Sequence, residues 1–158
     1  PTDWLERMIY YDIDVILPLP LYVDPNLEQN YKDRHIAEDW EFMLEYIRQQ
    51  DSDEYNNASR FFRETGLYSP CNMLVARREI LEELCGWLFP VLFAVAEHGG
   101  QKGNAYLNRY PGFISERLMT YFFEKNKGNT KEGKQKKWTI IFGIILVILC
   151  LVLGTIYI

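Results

Sequence analysis

Arg109-Tyr-Pro-Gly-Phe-Ile-Ser-Glu-Arg-Leu118 is the stretch that decides how the folded part of this chain is read. Tyr110, Pro111 and Gly112 predict a turn, with Gly112 permitting a tight one, and Phe113 to Glu124 then predict a helix. Ser115, Glu116 and Arg117 fall in its expected first turn, where free N–H groups favour anions and carboxylates. An ordinary N-cap with a dipole-compensating Glu would use the same residues.

Working outward from that turn, His98 to Gly103 holds three glycines but neither a P-loop nor a GxGxxG pattern, so it reads as a connection leading to a short helix over Asn104 to Arg109. Upstream, Ile80, Leu84, Trp87, Leu88, Val91, Leu92 and Val95 keep helical period from about Glu79 to Glu97, with a kink expected at Pro90. Cys71 to Ala76 reads as a strand between Ser69-Pro70 and Arg77-Arg78. A second helix is predicted from Leu27 to Arg48 by the spacing of Ile36, Trp40, Met43, Leu44 and Ile47. A turn-like polar stretch over Gln49 to Asn57 and a shorter helix through Phe61 and Phe62, ending near Gly66, follow it. Asp14-Val-Ile-Leu-Pro18 reads as a buried strand stopped by proline, and Trp4 to Tyr11 as the end of an amphipathic helix. Strands interleaved with longer helices predict a helix-rich α/β layer architecture. Because the sequence opens on Pro1 within what reads as a helix, the domain is expected to be truncated at its N-terminus.

The net charge of −5 over 158 residues is uneven. Residues 1–127 carry 13 basic and 21 acidic side chains, net −8, and residues 128–158 carry four lysines and one glutamate, net +3. The acidic part argues against nucleic acid as a partner, since phosphate neutralisation needs clustered Lys and Arg. Residues 128–137 read as a solvated, Lys-rich linker. Residues 138–158 are uncharged, and as a helix they would extend roughly 31 Å, about the thickness of a bilayer core. With Trp138 and Tyr157 near its ends, that segment is predicted to be a transmembrane helix. The lysines before it place the globular domain in the cytoplasm, held to the cytoplasmic membrane by one C-terminal span. Cys71, Cys85 and Cys150 show no ligand spacing and predict no disulfide framework.

Three polar clusters are candidates for chemistry. His35 and Asp39 stand four apart with Glu38 beside them, which on one helix face could supply a base with an orienting carboxylate, a metal site, or a plain solvated surface. Asn72 opens a predicted strand, a common place to present a side chain to a ligand. The third is the run from Arg109 to Arg117.

The strand ending in Leu17-Pro18, the His35–Asp39 cluster, Asn72-Met73, Cys85-Gly-Trp-Leu-Phe89 and Arg109–Leu118 together resemble the C-terminal half of a bacterial family of capsular or exopolysaccharide biosynthesis proteins. That family is regarded as glycosyltransferases with a GT-A-like, nucleotide-diphosphosugar-binding fold. The resemblance spans about residues 10 to 127. It implies transfer of a sugar from a nucleotide-sugar donor to a cell-surface glycan or its lipid-linked precursor, with the membrane as a partner. It also implies roles: Glu116 as first choice of base, Asp39 with His35 as second, Arg109 and Arg117 on phosphate oxygens, and Asn72, Ser115 and Glu38 on substrate. Arg117 could instead pair with a carboxylate. A divalent metal, Mg or Mn, is a candidate cofactor, but the half expected to hold diphosphate and metal precedes this stretch in the family. The competing reading is a non-catalytic, tail-anchored scaffold of a polysaccharide assembly complex. A membrane-bound hydrolase using Asp39 or Glu116 is weaker, with no nucleophile elbow or zinc motif behind it.

Overall fold

The computed structural model describes residues 3–127 and 138–140. The chain runs α1 (Asp3–Tyr10), β1 (Val15–Leu17), β2 (Leu21–Tyr22), α2 (Leu27–Arg34), α3 (Ala37–Gln50), α4 (Ser52–Glu64), β3 (Leu67–Tyr68), β4 (Val75–Ala76), α5 (Arg78–Gly99), a 3-10 turn (Leu107–Arg109), α6 (Tyr110–Lys125) and β5 (Trp138–Ile140). Helices dominate, as expected of the helix-rich α/β class.

Two small sheets carry the strands. β1 is central in the first, antiparallel to β4 with Val15 opposite Ala76, and parallel to β5 with Leu17 opposite Ile140. β2 and β3 form an antiparallel pair. The expected strand over Cys71 to Ala76 shrinks to Val75–Ala76, because Cys71 and Asn72 take left-handed backbone angles of φ 74° and 48° and form a turn instead.

The single helix predicted from Leu27 to Arg48 is two helices. His35 is extended at φ −134° while its N–H still closes on the Tyr31 carbonyl, and a new helix starts after Ile36. The stretch read as a turn before Asn57 is helical from Ser52. Its start is fixed by Asp51, which ends α3 through its N–H to Ile47 and caps α4 by accepting from Asp53 and Glu54 N–H groups at 2.9 and 3.0 Å. α5 continues through Pro90 to Gly99. α6 starts three residues earlier than expected, with Pro111 in its first turn. A proline there forfeits no hydrogen bond, since the first N–H groups of a helix have no partner within it.

The core lies where α2, α3 and α4 meet α5 and α6. Trp40, Tyr31, Phe62, Leu27, Met43, Ile114 and Leu118 are fully enclosed, with Val15 of β1 joining them. A smaller cluster of Met8, Ile13 and Ile16 fastens α1 to β1.

Trp138–Ile140, expected to begin the membrane helix, is instead the extended strand β5. An open edge of β1 leaves main-chain N–H and C=O groups without partners, and a β-branched segment such as Thr139-Ile140 suits that pairing. Residues 128–137 and 141–158, and with them the linker and the rest of the predicted span, lie outside the described residues. Among the described residues no helix is long and apolar enough to cross a membrane.

Candidate functional site

The N-terminal half of α6 is where most of the sequence candidates meet. The Cys71–Asn72 turn docks on it by two bonds. Cys71 N–H donates to Glu116 Oε1 at 2.8 Å, and Asn72 Nδ2 donates to the Gly112 carbonyl at 3.0 Å. Left-handed angles cost a residue with a Cβ about 1–2 kcal/mol each, and these two bonds hold the turn there. Asn72 and Met73 then border a groove of about 710 Å³ lined by Ile16, Pro18, Leu74 and Val75.

Gly112 therefore does not make the tight turn expected of it; it sits inside α6 and offers its carbonyl to Asn72. Ser115, Glu116 and Arg117 are correspondingly in the second turn of the helix, beyond the free N–H groups of its start. The anion site inferred for them at a helix N-terminus is corrected by that shift. Ser115 is buried, so a direct contact with substrate is also corrected. Glu116 keeps a carboxylate at the edge of the turn, its Oε2 3.7 Å from Arg117 Nη1.

Arg117 is enclosed, at 2 % exposure. Its Nη1 donates to the Phe113 carbonyl at 2.8 Å and its Nη2 to Asn30 Oδ1 at 3.1 Å, while the guanidinium lies 4.6 Å from the Tyr68 ring centre and 5.4 Å from that of Tyr31. Burial holds its pKa below the usual arginine value. The phosphate contact expected of Arg117 is corrected: the side chain is enclosed, its Nη1 and Nη2 bond inside the protein, and its buried Nε has no partner. Arg109, by contrast, is exposed, its guanidinium 5.3 Å from the Phe113 ring centre.

His35 stacks on the same ring, at 4.3 Å and 17°, and lies 4.7 Å from Tyr31. Desolvation first, then the charges of Arg117 and Arg34, lower its pKa to about 4, and its buried Nδ1 has no partner. The His35–Asp39 pair expected on one helix face is not formed, because the chain breaks between α2 and α3. Asp39 pairs with Lys102 instead, 2.8 Å from its Nζ, with both groups largely enclosed at 3 % and 13 % exposure. Glu38 stays exposed on the first turn of α3.

The Asp39–Lys102 pair pins the loop between α5 and α6. Lys102 Nζ lies 4.5 Å from the Tyr110 ring centre, and the Tyr110 hydroxyl lies 3.0 Å from the Ala96 carbonyl oxygen. Burial raises the Tyr110 pKa and, more strongly, that of Tyr31. Gly99 allows this closeness: a Cβ there would lie 2.6 Å from the Tyr110 hydroxyl and 2.8 Å from Asp39 Oδ1.

Asn30, Tyr31, Lys102 and Phe113 were not singled out from the sequence. Lys102 stood in a glycine-rich loop, and Asn30 was one polar residue among many, so only its burial marks it. Among the described residues no group of three or more His, Cys, Asp or Glu side chains could hold a metal ion.

The model of a family described as a domain of unknown function, DUF4422, matches residues 3–127. The chain belongs to the DUF4422 family. No curated protein matches it. Among solved structures, this DUF4422 domain is similar to the apo structure of WbbM, a bifunctional glycosyltransferase, with a TM-score of 0.72 and 22 % identity. The likeness covers 87 % of this chain and 24 % of WbbM, so the chain spans about a quarter of that protein's length. At that identity the likeness establishes a shared fold.

Proposed function

We propose that this DUF4422 domain is the acceptor-side portion of a GT-A-like glycosyltransferase. It would move a sugar from a nucleotide-sugar donor to a cell-surface glycan, of the capsular or exopolysaccharide type, or to the lipid-linked precursor of one. The observation that carries this reading is the fold shared with part of WbbM. The docking of the Cys71–Asn72 turn on Glu116 and Gly112 supports locating the reaction there.

In this proposal the Glu116 carboxylate takes the proton of an acceptor hydroxyl. The oxygen attacks the anomeric carbon of the donor, the bond from that carbon to the diphosphate breaks, and the nucleoside diphosphate departs with the electron pair. Cys71 N–H, bound to Oε1, orients the carboxylate. Asn72 stands at the mouth of the groove to meet a sugar or acceptor hydroxyl, and exposed Arg109 is the cation available to the leaving diphosphate. Groups that would hold a metal belong to the donor-binding portion.

The uncharged segment supports a membrane anchor. With Trp138–Ile140 in β5, residues 141–158 remain, 18 residues or roughly 27 Å as a helix, within the range that spans a bilayer. Such an anchor, with the lysines before it on the cytoplasmic side, would keep the domain beside a lipid-linked acceptor.

The test is a screen of the full protein against nucleotide sugars, with release of nucleoside diphosphate as readout. Turnover with at least one donor is expected, falling about 100-fold or more in Glu116→Gln while the melting temperature holds. Near-normal turnover in that variant removes Glu116 as base. Silence with every donor and acceptor favours the non-catalytic scaffold.

A further inference from the structure

A cavity of about 370 Å³ opens at the C-terminal end of α6, between Phe123 there, Phe61 of α4, Leu17 of β1, Leu67 of β3 and Pro20 just before β2. Its wall carries three hydroxyls, and all are engaged inside the protein. Thr65 Oγ1 accepts from Leu67 N–H at 3.3 Å, Thr120 Oγ1 accepts from Ser69 N–H at 3.0 Å and donates to the Glu116 carbonyl at 2.8 Å, and the Ser69 hydroxyl donates to the Pro18 carbonyl at 3.4 Å. Glu124 at the rim faces Lys127, 3.3 Å from its Nζ. The surface left for an occupant is apolar, and a polar ligand would lose hydration there without finding partners. The cavity shares no lining residue with the groove at Asn72.

Apolar surface continues past the cavity. Tyr22 and Leu67 stand opposite each other across the β2–β3 pair and so share a face, at 71 % and 48 % exposure, and Leu19 and Leu21, also exposed, precede Tyr22. The course of the chain says what covers this surface. Lys127, just past α6, lines the cavity, and after ten more residues the chain returns as β5, with Ile140 opposite Leu17 of the cavity wall. Those ten residues, 128–137, hold four lysines against one glutamate. β5 runs parallel to β1, so the chain leaves Ile140 in the direction in which β1 continues to Pro18 and Pro20. Neighbouring strands lie about 5 Å apart, and the uncharged segment from residue 141 to residue 158 therefore starts beside the cavity. A cavity of this size takes a few side chains, whereas 18 residues apolar on every side need a medium such as a bilayer.

We propose that the cavity at the end of α6 and the Tyr22–Leu67 face form a membrane-docking surface, which lies against the bilayer that anchors residues 141–158. Leu19, Leu21 and Leu67 enter the boundary between headgroups and acyl chains, and the cavity takes part of a lipid chain. Tyr22 sits at headgroup level, where aromatic rings with a polar tip are favoured, its hydroxyl 3.4 Å from Asp24 Oδ1. The lysines of residues 128–137, tethered at both ends to the neighbourhood of the cavity, meet anionic headgroups. Such docking depends on the membrane anchor proposed above and fixes which face of the domain meets the lipid.

The full chain, carrying Cys71→Ser, Cys85→Ser and Cys150→Ser, receives one cysteine by Tyr22→Cys or, as a control, by Phe93→Cys, an exposed position of α5 that lines no part of the cavity. Each is labelled with the fluorophore NBD and reconstituted into vesicles of phosphatidylcholine and phosphatidylglycerol, with and without lipid bearing a nitroxide on its acyl chain. The chain is expected to float with the vesicles, and the nitroxide lipid to quench the Tyr22 label about twofold or more beyond the Phe93 label. Leu67→Glu, at an exposed position, should bring the Tyr22 quenching down to the Phe93 level while flotation and helical circular dichroism hold. A chain that does not float rejects the anchor and the docking surface together. A chain that floats with both labels quenched alike, or with quenching unchanged by Leu67→Glu, overturns the docking surface alone. So does a Tyr22 label whose emission is blue-shifted but unquenched by the lipid, because residues 141–158 or a second copy of the chain then cover that face.

Discussion

Glu116 and Arg117 are adjacent on α6, yet one stands at a surface turn and the other inside the core. Glu116 reaches outward to hold the Cys71–Asn72 turn beside a groove, its side chain 15 % exposed. Arg117 turns inward among Tyr31, Tyr68 and Asn30. Consecutive helical positions point about 100° apart, so the two side chains take different hydrogen-bond partners even though Glu116 Oε2 stays 3.7 Å from Arg117 Nη1. The lesson concerns charged clusters in general: a carboxylate at a rim can meet substrate, whereas an enclosed guanidinium bonded to a carbonyl of its own helix and to an amide of another holds elements in place.

Arg117→Ala should break that comparison most forcefully. It removes two charge-assisted hydrogen bonds, opens a cavity between α2 and α6, and strands Asn30 Oδ1, for a cost of about 3 kcal/mol or more. Chemical denaturation measures it, and a cost under about 1 kcal/mol would mean that Arg117 is not structural. The Asp39–Lys102 pair should show an asymmetry of its own. After Asp39→Ala, Lys102 can swing on its loop into water, so about 1 kcal/mol is expected. After Lys102→Ala, Asp39 stays enclosed on α3 with no counter-charge, and about 2–3 kcal/mol is expected. Equal losses from the two variants would show that the loop is as fixed as the helix.

How much of this was legible in the sequence follows the range of the interaction. β1, the existence of α5 and the apolar stripe of α3 follow from periodicity, which reports local burial. The break at His35 was hidden because Ile36 and Trp40 keep helical spacing across it, and what opposes one continuous helix is the ring stack of His35 on Phe113, 78 positions away. The left-handed Cys71–Asn72 turn was hidden for the same reason, its two bonds coming from α6. Asp39 stood out by type, but its partner Lys102 is 63 residues distant. The motif around Glu116 gave the right neighbourhood, and the early start of α6 then moved each residue within it.

His35 supplies the smallest effect and the finest division between the two environments. Its ring is held neutral, with a folded pKa of about 4 against an ordinary 6.5, because burial and the charges of Arg117 and Arg34 oppose a proton. Between those values the unfolded chain binds a proton that the folded chain refuses. The stability contributed by the neutral ring is therefore complete above about pH 6.5 and is lost as the pH falls toward 4. His35→Phe keeps an aromatic ring on Phe113 and has nothing to protonate. Thermal unfolding of both proteins from pH 7.5 to 4.5 should show the parent losing a few degrees more than the variant, with most of that difference appearing below pH 6.5. Parallel curves would mean that the imidazole has water access enough to charge without leaving Phe113, and would move His35 from the Arg117 side of the comparison to the Glu116 side, as a residue that can meet substrate.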